Sequence, residues 1–401
     1  AQYYETMSKK RDDLPYEIDG CVFKVNVLAD HQVLGTRAAN PRWAVAWKFP
    51  PRRKTTRIKR IKAYVGRTGA LTPVAILEPV HISGVEVTHV SLHNQDEVDR
   101  KDIRVGDHVV VERAGDVIPH VVEVVKSQRS GNEKKYDLPS TCPACGGDVS
   151  RPEGEAIARC TNAACPAQLK ERLLHFGSKQ ALDMDGLGEK LVDQLVEENI
   201  VESPADLFDL TVGDLTGLER MAETSAQNLV DAIAAAKDGV TLPRLIYGLG
   251  IPHVGRAVAG GLAMAFGSMD ALADADESDL EGLEGMGHTM AAAIVDWFAN
   301  DRNQQLIQRL KQSGIDPKAE RKGSRLEGKT LVITGSLDSM TRDEAKHAIQ
   351  QQGGRAASSV SSETDYLVVG ADPGSSKTED AEEHGTETID EDAFLKLLGE
   401  R

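Results

Sequence analysis

Apolar and polar positions alternate between residues 54 and 127, as in PVAILEPVHISGVEVTHVSL and GDHVVVERAGDVIPHVVEVV, with turn signals between the runs. A period of two puts every second side chain on one face of an extended chain, so this region predicts short antiparallel strands forming a small barrel or sandwich. YEIDGCVFKVN and PRWAVAWKFP, ahead of it, also read as strands. A polar stretch, KSQRSGNEKKYDLPST, leads to a cysteine cluster, after which an Ala- and Leu-rich helical region extends to about residue 312. KQSGIDPKAERKGSR carries the turn and charge signals of a linker. From Leu326 the chain runs strand (KTLVITG), helix (RDEAKHAIQQQG), short strand (AASSV), strand (DYLVVG) and final helix (DEDAFLKLL), the alternation of a small α/β domain. At roughly 150 residues per domain, a chain of this length holds two to four of them.

The helical region repeats itself. Gly186-Leu187-Gly188, Arg220-Met221-Ala222, His253-Val254-Gly255 and Gly285-Met286-Gly287 follow one another at spacings of 34, 33 and 32 residues, each ahead of a helical segment. A Gly-hydrophobic-Gly turn between two helices lets backbone N–H groups at the start of the second helix approach a phosphate, because no side chain blocks contact. Helical hairpins that use glycine only for tight packing would look the same in any single copy, but four copies in register favour phosphate binding. The second copy has lost both glycines and is expected to be mainly structural. The third keeps only Gly255.

Charge separates the two ends of the chain more than the net value of −16 suggests. Residues 1–70 hold 15 Lys and Arg against 6 Asp and Glu, a net +9, whereas residues 179–320 hold 10 against 25, a net −15. The basic end attracts polyanions directly. The acidic region needs a grip that uses no lysine, which backbone N–H donors and helix dipoles provide. No run approaches 18 apolar residues and no secretory leader pattern opens the chain, so a soluble cytoplasmic protein without membrane association is expected.

Four of the five cysteines form CPACGGDVSRPEGEAIARCTNAAC, with two residues between Cys142 and Cys145, fourteen between Cys145 and Cys160, and four between Cys160 and Cys165. Two close pairs joined by a short loop suit four thiolates around one Zn²⁺. With all four positions filled by sulfur no site is left for water, so the metal is expected to be structural. Cys21 reads as a strand residue with no reactive role.

Asp19 and Lys24 fall near the two ends of the strand predicted in YEIDGCVFKVN, and Lys48 lies in the second strand-like run. Two lysines on adjacent strands can neutralise a phosphate beside a carboxylate that holds Mg²⁺, although lysines on solvent-facing strands are common. Together with VGRTGALTPVAILEPVHISG, LHN, RAGDVIP, the four-cysteine insert, the glycine hairpins and the terminal α/β domain, these two stretches resemble the NAD-dependent DNA ligases over essentially all 401 residues.

The resemblance implies a multidomain α+β chain: the C-terminal remnant of an adenylation (nucleotidyltransferase) domain at 1–53, an OB-fold β-barrel at 54–137, a four-cysteine zinc finger at 138–170, a helix-hairpin-helix domain at 171–318 and an α/β BRCT domain at 322–401. It implies an enzyme that takes AMP from NAD⁺ onto a lysine, passes it to the 5′-phosphate of a nick in double-stranded DNA, and releases it when the 3′-OH attacks. Asp19 would assist Mg²⁺ (or Mn²⁺), Lys24 would contact the nucleotide, Lys48 the AMP phosphate, and Arg11 would stabilise phosphate. Arg67, Arg113 and hairpin residues Gly186, Gly188, Gly255, Gly285 and Gly287 would meet DNA. The basic run PRRKTTRIKRIKAYVGR, with eight Lys or Arg, would do the same. His93 and Asn94 are expected to set a turn, as are Arg113 and Asp116. Thr334, Gly335 and Lys377 invite a phosphate-pocket reading of the BRCT domain, but a structural or weak DNA-binding role is preferred.

The adenylated lysine of the family lies in a Lys-x-Asp-Gly motif, and no such motif occurs in this sequence. The expectation is therefore a C-terminal portion of a ligase, cut inside the adenylation domain, monomeric, inactive alone, and needing the N-terminal part as partner. A non-catalytic DNA-binding scaffold is the alternative. An ATP-dependent ligase is disfavoured by the four-cysteine insert and the hairpin array.

Overall fold

The computed structural model describes residues 2–11, 13–37, 40–114, 118–152, 154–283, 285–319, 325–326, 328–337, 339–371 and 373–399. It divides into two compact units, residues 1–171 and 172–401. None of the described helices is long and apolar enough to cross a membrane.

In the first unit, helix α1 (Gln2–Lys10) lies against a two-stranded antiparallel ribbon, β1 (Gly20–Lys24) paired with β2 (Ala44–Lys48). Tyr4 stacks on Trp47 with ring centroids 4.4 Å apart and reaches the Lys48 carbonyl through its hydroxyl at 3.0 Å. Gly20 is required where the ribbon closes, because a Cβ there would stand 2.5 Å from the Trp47 carbonyl oxygen. Cys21 is buried in β1. Apolar side chains stay exposed around this ribbon, among them Val22, Val45 and Leu28.

The alternating region forms a five-stranded antiparallel sheet. Its strands are β3 (Arg53–Val65), β4 (Leu71–Ile82), β5 (Val85–Ser91), β6 (His108–Ala114) and β7 (Ile118–Val124), in the order β7-β6-β3-β4-β5. The sheet curls until β7 runs alongside β5, around a core that includes Ile58, Leu77, Val90, Val109 and Val121. Short strands were expected, yet β3 and β4 have 13 and 12 residues. Register shifts at Ile58/Arg60 and Ile76/Val80 bend them, so the apolar face changes phase within one strand and reads from sequence as two shorter ones. Helix α2 (Gln95–Lys101) is capped by Asn94, whose side chain accepts from Glu97 N at 2.9 Å, while His93 adopts φ +65° ahead of it. LHN is thus a turn-and-cap device, as expected.

Below the barrel the strands β8 (Val149–Ser150) and β9 (Arg159–Cys160) make a small hairpin before helix α3 (Pro166–Gly177). The second unit begins within α3. The four hairpin turns precede α4 (Glu189–Glu197), α5 (Glu223–Gly239), α6 (Arg256–Phe266) and, after the short α7 (Glu277–Glu281), α8 (His288–Ala299).

The last domain has a four-stranded parallel sheet in the order β11-β10-β12-β13: β10 (Thr330–Thr334), β11 (Arg355–Ala357), β12 (Tyr366–Val369) and β13 (Glu387–Ile389). Its helices are α9 (Arg342–Gln351), α10 (Ser375–His384) and α11 (Glu391–Leu398). Sequence reading missed α10 and β13. SSKTEDAEEH has almost no apolar stripe and β13 spans three residues, so neither carries a periodic signal.

Candidate functional site

Asp19 and Lys48 meet where β1 and β2 join. Gly20 pairs with Lys48 and Lys24 with Ala44, so Lys24 and Lys48 project from one face of the ribbon, about 14 Å apart along it. Lys48 Nζ forms an ion pair with the Asp19 carboxylate, and this hydrogen bond is the main cause that lowers the Asp19 pKa, with Arg11 adding to it. Lys24 Nζ stands 5.8 Å over the Trp43 ring, which itself stacks on His31 at 4.0 Å. Arg11 is buried; its guanidinium lies 5.7 Å from the Phe49 ring centroid and donates to the Pro50 carbonyl at 3.4 Å. The four residues inferred for nucleotide chemistry therefore sit on one ribbon and its helix, with Asp19 and Lys48 in direct contact. Trp43 and His31 were missed, since aromatic stacking across a loop leaves no trace in sequence spacing.

The four-cysteine cluster converges as expected. Cys142 Sγ lies 3.9 Å from Cys165 Sγ and Cys145 Sγ 3.6 Å from Cys160 Sγ, and all four sulfurs fall within 4.8 Å of one another. Sulfurs about 2.3 Å from one tetrahedral zinc ion would be about 3.8 Å apart, so the donor set fits that ion with no open position. The turn is built by Cys142 N donating to Gly147 O at 2.7 Å and Gly146 N to Cys142 O at 2.9 Å, with Gly146 at φ +70°. Burial pushes the Cys160 thiol up to about 12 and raises Cys165, whereas the N–H of Gly147 lowers Cys145 to about 7.

This module is tied to the barrel. Cys160 N donates to Gly69 O at 2.9 Å, Leu71 N to Ala158 O at 2.8 Å, and Arg159 to the Thr68 hydroxyl at 2.8 Å. Cys142, Cys160 and Cys165 pack with Val65 and Leu71. The turn so clamped carries Arg67. A Cβ on Gly69, at φ +78°, would meet Cys160 O at 2.7 Å, so the close approach depends on glycine there.

Most of the basic run lies in β3. In β3, Thr56, Ile58, Ile61 and Val65 point inward, while Lys54, Arg57, Lys59, Arg60 and Lys62 are exposed. Arg113, expected in a turn, lies in β6, where it is half-buried and donates to Ile82 O at 3.3 Å and Ser83 O at 3.1 Å. Asp116 lies outside the described residues.

The hairpins share one backbone geometry. Their first residues, Gly186, Arg220, His253 and Gly285, have φ of +89°, +66°, +65° and +80°. Their third residues, Gly188, Ala222, Gly255 and Gly287, are extended N-caps, and none makes a side-chain cap hydrogen bond. Ser268, Asp276 and Asn300, by contrast, cap other helices of this region, Met269–Ala273, α7 and Asp301–Gln312, through their side chains. The first turns of α4, α5, α6 and α8 therefore carry no side-chain cap from their N-cap residues, although Leu191 N and Met290 N donate to Gly188 O and Gly287 O at 3.1 and 2.9 Å. The second hairpin, expected to be mainly structural, shares this backbone conformation with the others.

In the last domain the Thr334 hydroxyl is buried and accepts from Gly374 N at 3.1 Å. Lys377 donates to Ile333 O at 3.1 Å, and burial, helped by Arg342 and Lys346, lowers its pKa. Both bind the strand end to α10.

A two-stranded ribbon, a curled five-stranded sheet, a four-cysteine module, an array of helical hairpins and a four-stranded parallel sheet define a modular α+β chain. Family models of the NAD-dependent DNA ligase adenylation, OB-fold and C4 zinc finger domains match residues 1–52, 55–133 and 141–167. A SAM-like helix-hairpin-helix tandem matches 178–235, a helix-hairpin-helix motif 244–307 and a BRCT domain 321–398. Proteins named DNA ligase are similar throughout: that of Salinibacter ruber is 48% identical over 100% of this chain and 58% of its own length. Those of Halothermothrix orenii and Alkalilimnicola ehrlichii are 49% and 50% identical over 97% and 100% of this chain, and 59% and 60% of theirs. The chain belongs to the NAD-dependent DNA ligase family and spans about three fifths of the length of these relatives.

Proposed function

We propose that this chain supplies the DNA-gripping modules and part of the nucleotide site of a ligase that seals 5′-phosphate/3′-OH nicks in duplex DNA with NAD⁺ as AMP donor. The observation that carries this reading is the ion pair of Asp19 with Lys48 on the face that also presents Lys24. Lys48 neutralises the AMP phosphate, Lys24 contacts the nucleotide, Arg11 adds positive potential from beneath, and Asp19 helps hold Mg²⁺ or Mn²⁺, which would offset charge on the transferring phosphoryl group. The exposed cations of β3, Arg67 and the hairpin N–H groups contact the DNA backbone. Because the sequence holds no Lys-x-Asp-Gly, the nucleophilic lysine comes from polypeptide outside these 401 residues. The protein works as a cytoplasmic monomer, with domains at 1–53, 54–137, 138–170, 171–318 and 322–401.

The test is nick sealing with NAD⁺ and Mg²⁺, by the chain alone and by the chain mixed with a polypeptide carrying the relatives' remaining two fifths. Sealing only in the mixture is the expected result. Retained binding to nicked DNA with no sealing in either case would favour a non-catalytic scaffold.

A further inference from the structure

Lys24 and Lys48 share a face of the ribbon but are held in different ways. Lys48 is paired with the Asp19 carboxylate, whereas the Lys24 ammonium group lies over the Trp43 ring, 5.8 Å from its centroid. Lys24 is the last residue of β1, and the residue after it is fixed through both backbone groups. Val25 N donates to Trp43 O at 2.9 Å, and Val25 O accepts from His31 Nε2 at 2.7 Å. A carbonyl oxygen only accepts, so Nε2 of His31 carries the proton. The His31 ring, borne on the helix Leu28–Leu34, lies flat against the indole, with centroids 4.0 Å apart and planes 4° from parallel. Two hydrogen bonds and one stack thus close a loop at the end of β1. Trp43 and His31 are half-buried there, while Lys24 is exposed.

We propose that Trp43 and His31 are positioning residues that hold the Lys24 ammonium group ready for the nucleotide. The assignment rests on the role given to Lys24 above. An indole face attracts a cation through its quadrupole without adding a counter-charge. Lys24 therefore keeps its full positive charge for an incoming acceptor, which a carboxylate partner would partly cancel. Lysine also has a flexible four-carbon stem whose rotamer freedom is lost on binding, and restricting it beforehand lowers that cost. His31 acts one step further out: it packs against the indole and anchors the backbone from which Lys24 projects.

The test has two readouts. In the chain alone, labelled with ¹³C at lysine, the Lys24 ε-methylene protons should resonate upfield of those of the exposed lysines of β3, because an aromatic ring current shields groups over its face. W43L should abolish this displacement and W43F should retain part of it. An undisplaced Lys24 signal in wild type overturns the proposal whether or not a ligase is reassembled. In the reassembled ligase, W43L should raise KM for NAD⁺ by about threefold to thirtyfold, the equivalent of one cation–π contact, with kcat unchanged. W43F should fall between W43L and wild type, and H31A should act in the same direction as W43L. In a K24A background, W43L and H31A should have no further effect on residual sealing at subsaturating NAD⁺. Effects that add to that of K24A would make both rings general supports of the ribbon and overturn the proposal. A displaced signal without sealing by the wild-type mixture would overturn the nucleotide reading of Lys24, and the positioning role with it, while leaving the stack in place.

Discussion

Arg220 and Gly186 hold the same left-handed backbone state, φ +66° and +89°, at the first position of hairpins 34 residues apart. A side chain in that state costs about 1–2 kcal/mol relative to glycine, so surrounding packing, not the residue type, imposes the turn. Substitution should separate the two. R220V places a β-branched residue at positive φ and should destabilise the second unit by about 1–2 kcal/mol in urea unfolding. R220G should leave it within about 1 kcal/mol of wild type, since relief of strain is offset by the greater freedom of glycine in the unfolded chain.

The N-cap glycines give the opposite separation. Nothing lies within 4 Å of a Cβ built on Gly255 or Gly287, and Ala222 already occupies the equivalent site. G255A/G287A should therefore fold with stability changed by less than about 1 kcal/mol, while affinity for nicked duplex, measured by fluorescence anisotropy, falls severalfold because a methyl group stands where phosphate would approach. Unchanged affinity would mean that these turns serve packing alone.

Zinc holds the turn that carries Arg67. C165S should lose the metal, and with it the folding free energy of a module too small to keep a core unaided. Hydrogen exchange at the amides of Cys160 and Leu71, which bond to Gly69 and Ala158, should then accelerate, while Leu331 and Val332 of β10 remain protected. Protection of Cys160 retained without zinc would show that the barrel, not the ion, orders this segment.

A charge network locks the far side of the barrel. Arg129 bonds Asp107 at 2.7 Å and Asp102 at 2.7 Å, and the Asp107 side chain is fully buried. D107N should destabilise the first unit by about 3 kcal/mol by removing the buried negative charge that faces the Arg129 guanidinium. Hydrogen bonds from Arg129 and Arg104 hold the Asp102 carboxyl at about 2, below the ordinary 3.8. Its folded pKa is depressed, so its contribution is complete above about pH 4 and is lost as the pH falls toward 2. In urea titrations across that range, D102N should flatten this part of the acid-induced loss.

Lys48 and Asp19 are both about half exposed, and an exposed ion pair is worth less than about 1 kcal/mol. K48A should barely change the unfolding midpoint, yet it should lower sealing by the reassembled ligase by about a hundredfold or more, the scale expected when a charge aimed at a reacting phosphate is lost. Equal losses of stability and activity would assign Lys48 to folding.

Legibility followed the range of the interactions. Cys142 to Cys165 and the hairpin turns were readable because their chemistry repeats at short spacing. The barrel was readable as a class, but the bulges at Ile58 and Ile76 hid the true strand lengths. Asp19, Lys24 and Lys48 gained meaning only from family resemblance, since a pair formed 29 residues apart leaves no local pattern. Arg113 shows the same limit: its carbonyl partners, 30 and 31 residues away, leave no local pattern that a sequence reading could use. The shared backbone of the second hairpin was invisible for the same reason that α10 was, because torsion angles and polar helices do not announce themselves in residue type.

The ribbon β1–β2 leaves Val22 and Val45 61% and 65% exposed. Two strands alone make an adhesive edge. The net charge of −16 adds long-range repulsion between copies of this chain in dilute buffer. At 1 M salt that repulsion reaches only about 3 Å, shorter than the gap between approaching surfaces, so colloidal stability should decline as salt is added and the chain should be stored at low ionic strength.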